Sequence, residues 1–182
     1  MGVPRGTDYY LFDNVVMANY DLEPLQVMIV DDNRHMRRLV KSILHALGVL
    51  NVVEANSGED AIKQLEDFEA DLLIVDWKMS PMDGIAFTKH VRNDDDSPNI
   101  YVPIIMLTGH TEADRVMAAR DAGVTEFLAK PVSALQLFQR IHTIIEAPRQ
   151  YVRTADYFCP DRRRRNELDY SGPERRRQRG DA

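Results

Sequence analysis

Between Leu25 and Ala147 the chain alternates short apolar runs with stretches in which apolar residues recur every three or four positions. Val27-Met28-Ile29-Val30 is the first such run, and an unbroken run of this length predicts a strand buried on both faces. Behind it Met36, Leu39, Val40, Ile43, Leu44 and Leu47 fall on one face of a helix, with Gly48 where a left-handed C-terminal cap is wanted. The pattern repeats. Val52–Ala55 predicts a second strand, and Ser57 with Asp60 opens a helix that turns Ala61, Ile62 and Leu65 inward. Leu72–Val75 predicts a third strand, followed by a helix capped at Asp83-Gly84 and running through Phe87 and Val91. The polar stretch 93–99 is a solvated loop. Ile104–Leu107 is the fourth strand. Thr111 and Asp114 open a fourth helix that Gly123 closes, and its apolar face consists only of Val116, Met117 and Ala119. Phe127–Ala129 is the fifth strand. Ser133 and Gln136 form a capping box for a last helix with Ala134, Leu137, Phe138, Ile141, Ile144 and Ile145 at helical spacing, and Pro148 ends it.

Five strands alternating with five helices predict an α/β fold: a doubly wound five-stranded parallel sheet with helices on both faces, in the flavodoxin-like order 2-1-3-4-5. The folded domain is placed at residues 25–147. Residues 1–24 form an N-terminal extension, mostly irregular, in which Tyr9, Tyr10, Leu11, Phe12, Val15 and Val16 leave open a short helix or strand packed on the body.

Composition narrows the class. At 182 residues the chain suits one domain with extensions. No apolar run is long enough to span a bilayer, the first residues lack the pattern of a secretory signal, and Gly6 stands where a myristoylation motif wants Ser or Thr. The single Cys159 fits a reducing, cytoplasmic location. The net charge of −6 conceals two regimes. Residues 149–182 hold ten Arg against six acids, whereas residues 1–148 hold 13 Lys or Arg against 23 acids.

Ligands in open parallel sheets bind outside the carboxyl ends of the strands. The residues falling there are Asp31 and Asp32, Asp76, Thr108 and Lys130, and the strands that carry them are consecutive neighbours in the predicted order. Taken singly, an Asp or Thr after a strand is ordinarily a helix cap and a Lys a solvated charge. Together they make a chemical set. Crowded carboxylates repel unless a cation lies between them, and Mg²⁺ (or Mn²⁺) suits a few carboxylates with waters and a phosphoryl group. Lysine and hydroxyl groups then neutralise and hydrogen-bond phosphoryl oxygens, and Asp76 as nucleophile gives an aspartyl phosphate.

Residues 25–147 resemble the receiver domain of response regulators, nearest the chemotaxis (CheY-like) branch and of the stand-alone type. The resemblance rests on Ile29-Val30-Asp31-Asp32 with Met36-Arg37-Arg38, Leu47-Gly48-Val49 leading to Ala55 and Gly58, Val75-Asp76-Trp77-x-Met79-x-x-Met82-Asp83-Gly84, Leu107-Thr108, and Phe127-x-x-Lys130-Pro131. It implies that Asp76 is the phospho-acceptor and that Asp32 ligates Mg²⁺ directly. Asp31 would act mainly through water, and the Lys78 backbone carbonyl would be a further ligand. Lys130 would pair with the phosphoryl group, Thr108 would swing toward it, and Phe127 would rotate inward. A cis bond is implied at Lys130-Pro131. The fourth helix, fifth strand and fifth helix would form the switched surface, which regulates a downstream protein after phosphorylation by a histidine kinase or phosphotransfer protein. Such a protein is no enzyme toward external substrates; it catalyses only its own phosphorylation and slow dephosphorylation. It is expected as a monomer or a phosphorylation-promoted dimer.

Lys78, Gly109 and His110 flank the site and are expected to tune phosphoryl lifetime, with Gly109 keeping the cleft entrance open. Met79 and Met82 read as loop packing, and Trp77 as a surface aromatic beside the site. Beyond Ala147, Tyr157-Phe158-Cys159-Pro160-Asp161 before Arg162–Arg165 is echoed by Tyr170-Ser171-Gly172-Pro173-Glu174 before Arg175–Arg177. Residues 148–182 are expected to be a disordered arginine-rich tail. The competing reading is a docking segment for phosphates, an acidic surface or nucleic acid, giving a phosphorylation-independent scaffold or a nucleic-acid binder. Phosphate-ester hydrolysis is disfavoured, since neither D-x-D-x-T after the first strand nor a Walker glycine loop occurs.

Overall fold

The computed structural model of the chain describes residues 11–12, 15–16, 21–94, 97–109, 113–148, 150–153 and 158–160. Ahead of the main body β1 (Leu11–Phe12) pairs antiparallel with β2 (Val15–Val16). The body alternates β3 (Gln26–Val30), α1 (Arg34–Ala46), β4 (Asn51–Ala55), α2 (Gly58–Leu65), β5 (Leu72–Asp76), α3 (Gly84–Asn93), β6 (Ile104–Thr108), α4 (Ala113–Asp121), β7 (Glu126–Ala129) and α5 (Ala134–Glu146). The five strands form one sheet ordered β4-β3-β5-β6-β7, every neighbouring pair parallel. This is the predicted 2-1-3-4-5 winding.

Strand side chains alternate between faces, so each unbroken apolar run feeds two cores. Val27, Ile29, Leu72, Ile74, Ile105 and Leu107 meet Val40, Leu44, Leu137 and Ile141 of α1 and α5. Met28, Val30, Leu73, Val75 and Ile104 meet Ala61, Leu65, Phe87 and Val91 of α2 and α3. Under α4 the packing among the described residues consists of Met106, Ala119 and Val124, edged by Trp77, Ile85 and Phe127. Met117 stays exposed. Leu22, three residues ahead of the expected domain start, is buried in the α1/α5 core.

The caps follow the sequence with local differences. Asn33 caps α1, accepting from the backbone N–H groups of His35 and Met36. Ser57 accepts from Asp60 N–H, while the Asp60 carboxylate reaches one residue further back, to Asn56 N–H at 3.0 Å. The Ser133–Gln136 pair closes side chain to side chain, Ser133 Oγ–H donating to Gln136 Oε1 at 3.0 Å, in addition to accepting from Gln136 N–H. Gly48 and Gly123 take the left-handed φ expected of helix C-caps.

Away from the carboxyl edge, α3 ends in a buried arginine. The Arg92 guanidinium donates to the carbonyls of Ile100 (2.8 Å), Val102 (2.7 Å) and Gly123 (3.0 and 3.1 Å), tying the loop before β6 to the turn after α4. Burial lowers its pKa to about 10.

The disordered tail expected beyond Ala147 is corrected for six of its residues. Tyr151–Arg153 (β8) pairs antiparallel with Phe158–Pro160 (β9), and β9 lies against α3 and α4 with Cys159 buried. A strand pair this short is marginal alone. Here it rests on the body: the Tyr151 ring lies 5.2 Å from the Arg92 guanidinium, and its hydroxyl donates to Tyr101 O at 2.8 Å. The arginine runs at 162–165 and 175–177 lie outside the described residues, as does His110.

Candidate functional site

The predicted strand-end set converges. Asp31 follows β3 directly and is fully buried; its carboxylate accepts from Asn33 N–H at 2.8 Å. Asp32 beside it is exposed. Asp76 and Thr108 are the last residues of β5 and β6 rather than the residues beyond them, because the ladder continues that far: Asp76 pairs with Leu107 and Thr108 with Ala129. Both are buried. Lys130 follows β7, with its backbone N–H on Thr108 O at 2.8 Å. Its ammonium lies 2.9 Å from Asp76 Oδ1 and 3.3 Å from Asp31 Oδ2. The Lys130-Pro131 bond is cis, as expected, and so is Ser80-Pro81.

Carboxylate oxygens of Asp31, Asp32 and Asp76 lie within 4.8 Å of one another. Three acids against the one ammonium that pairs with two of them leave an oxygen-lined, anionic pocket. That donor set fits a hard divalent cation. Phe127 is half-buried against the Met106–Ala119–Val124 packing under α4. Lys78 is exposed in the loop after Asp76. Gly109 is exposed, and a Cβ there would meet nothing within 4 Å. Met79 is buried and Met82 packs behind it, as expected of loop packing. Trp77, expected at the surface, is partly buried, and its backbone bridges Leu107 O and Gly84 N–H, each at 3.0 Å.

Two further residues contribute, one legible in sequence only as a motif letter and the other only as a motif letter and helix start. Arg37 Nη1 donates to Asp31 O at 2.7 Å, bracing the turn that carries the two adjacent acids. Gly84 lies so close to the Asp76 carbonyl that a Cβ would overlap it.

Burial raises the Asp31 carboxyl above its ordinary value, and the Asp76 charge adds to this; the Asn33 N–H and Lys130 oppose it. Burial also works against the Lys130 ammonium, but its hydrogen bond to Asp76 and the charges of Asp76 and Asp31 outweigh that, leaving Lys130 raised. An acid with a raised folded pKa binds protons more readily folded than unfolded. Its contribution to stability is therefore present at low pH and lost as pH rises through the folded value. A divalent ligand reverses the sign, because only the carboxylate coordinates. Magnesium at about 100-fold excess over its Kd should stabilise the fold by about 2.7 kcal/mol near neutral pH, and the effect should shrink as pH falls through the acidic range. Melting temperatures with and without Mg²⁺ across that range check this, and a pH-independent increment would remove Asp31 from the ligand set.

The response regulator receiver domain family matches residues 27–142 of the chain. This chain belongs to that family. The receiver is 34% identical over 122 residues to chemotaxis protein CheY-3 of Vibrio cholerae, covering 67% of this chain and 92% of that one. It is 35% identical to chemotaxis protein CheY of Pseudomonas aeruginosa, covering 67% and 97%. Among solved structures it is similar to V. cholerae CheY4, with a TM-score of 0.61, 28% identity and coverage of 66% of this chain and 98% of that one. It is also similar to the receiver domain of a P. aeruginosa sensor histidine kinase, solved with a magnesium ion coordinated in its active-site cleft. That match has a TM-score of 0.57, 27% identity and coverage of 65% and 94%. No helix among the described residues of the receiver is long and apolar enough to cross a membrane.

Proposed function

We propose that this receiver accepts a phosphoryl group on Asp76 from the phosphohistidine of a histidine kinase or phosphotransfer protein, and that the phosphorylated form alters its α4–β7–α5 surface to regulate a protein partner. The observation that carries the reading is the meeting of Asp31, Asp32, Asp76 and Lys130 in one pocket, with Thr108 at the adjoining strand end. An Asp76 carboxylate oxygen attacks phosphorus, the P–N bond to the donor imidazole breaks, and the imidazole leaves with the electron pair. Asp31, Asp32 and Asp76, with the Lys78 carbonyl, would hold Mg²⁺ or Mn²⁺, which when bound screens the negative charge of the transferring group. Lys130, already paired with Asp76, neutralises a phosphoryl oxygen, and Thr108 donates its hydroxyl to another. The domain promotes its own phosphorylation and slow hydrolysis and turns over no external substrate.

The test is incubation of the full chain with acetyl phosphate and Mg²⁺, followed by reduction with borohydride and peptide mass mapping. One label on Asp76, absent when the divalent ion is chelated, is the expected result. A label on another residue, or none, would overturn the assignment.

A further inference from the structure

We infer that the groove between α3 and α4 is a docking seat for the chain's own C-terminal hairpin, and that phosphorylation at the opposite edge of the sheet weakens this docking. The second half rests on the function proposed above.

The seat is built around Arg92. Its guanidinium holds carbonyls on both sides of the groove, from Ile100 and Val102 before β6 and from Gly123 after α4. Gly123 has φ +106 and lies so close to Arg92 that a Cβ there would meet Arg92 Cγ at 2.8 Å. The turn that ends α4 is thus fitted against this one side chain. Tyr151 covers the guanidinium, meets Tyr101 edge to face at 5.3 Å between ring centres and donates to its carbonyl. Strand β9 then lies against α3 and α4 and buries Cys159. The hairpin is therefore fitted to one position of α4.

Among the described residues that helix buries only Ala119, the smallest buried face of the five. The residues beneath it, Met106 and Phe127, lie on the strands that end in Thr108 and just before Lys130. In the arrangement the hairpin fits, Lys130 pairs with Asp76 and Asp31. A phosphoryl group on Asp76 takes Lys130 as its own partner, so the docked hairpin and the phosphorylated pocket favour different positions of α4. Coupling of this kind is reciprocal.

Cys159 is the only cysteine of the chain, so its labelling reports the hairpin alone. In the full chain its reaction with a thiol reagent should be slow, and Tyr151→Ala should speed it. Saturating beryllofluoride with Mg²⁺, its binding read by fluorine NMR, should raise the wild-type labelling rate by about fivefold or more, within the usual range of such couplings. By reciprocity Tyr151→Ala should tighten beryllofluoride binding by a similar factor. Wild-type labelling as fast as in denaturant would overturn the docking. Bound beryllofluoride with an unchanged labelling rate would overturn the coupling while leaving the phosphorylation reading intact. Absence of bound beryllofluoride would remove that reading, and the coupling with it.

Discussion

An Asp76→Asn chain should take up no phosphoryl group from any donor and still fold. The amide oxygen of asparagine is not a nucleophile at neutral pH, and none of the neighbouring acids can replace it. Asp31 is fully buried and pinned by the Asn33 N–H and the Lys130 ammonium, while Asp32 is exposed. The fold survives because Lys130 keeps a partner: its contact with Asp31 remains when that with Asp76 goes. Removing one of three crowded carboxylates also relieves repulsion, which offsets the lost ion pair. Divalent affinity should fall by about tenfold, since ligand charge sets the affinity of such sites. Acetyl phosphate labelling and a magnesium titration measure the two effects. Residual labelling of the variant at the wild-type rate would show that another residue carries the group.

The sheet and its winding were legible because strands buried on both faces must be written as unbroken apolar runs, and helices on one face as threes and fours. The pocket was legible for a related reason: residues at the carboxyl ends of adjacent parallel strands are forced together by the topology. Asp31, Asp76, Thr108 and Lys130 could be placed by knowing where each strand stops, within a residue. What escaped has no period. Arg92 sits in the last turn of α3, where a cation is ordinarily solvated, and only the backbone carbonyls of Ile100, Val102 and Gly123 around it explain its burial. Residues 151–153 and 158–160 belong to a tail whose arginine-rich composition points to disorder; their pairing rests on a seat supplied by Arg92 and Tyr101, far earlier in the chain. Gly84 was legible as a helix start but not as a neighbour of Asp76, because proximity across a loop leaves no mark in a hydropathy pattern.

Gly84→Ala should therefore cost more stability than any other single methyl added near the site. Gly84 is buried at the start of α3, with its N–H on Trp77 O at 3.0 Å. A Cβ there overlaps the Asp76 carbonyl oxygen, which belongs to a central strand paired on both sides, and meets Met106 Cε at 3.2 Å. Relief requires α3 to slide outward, breaking the Trp77 contact, or Asp76 to shift in its pocket. Overpacking against backbone of this kind costs about 2–3 kcal/mol. Gly58→Ala is the matched control. Its Cβ would meet Met82 Sδ at 2.7 Å, the far end of a flexible side chain that can rotate away, and alanine favours the helix it opens. That variant should lose under about 1 kcal/mol. Denaturant midpoints for the pair separate backbone overlap from mere crowding. The same displacement of Asp76 by about 1 Å should slow phosphoryl uptake of Gly84→Ala by about a hundredfold under conditions where it is fully folded, since transfer depends on placement at that scale. Equal stability losses in the two variants would show that the Asp76 backbone yields at little cost, and wild-type uptake in Gly84→Ala would show that Gly84 does not set the position of Asp76.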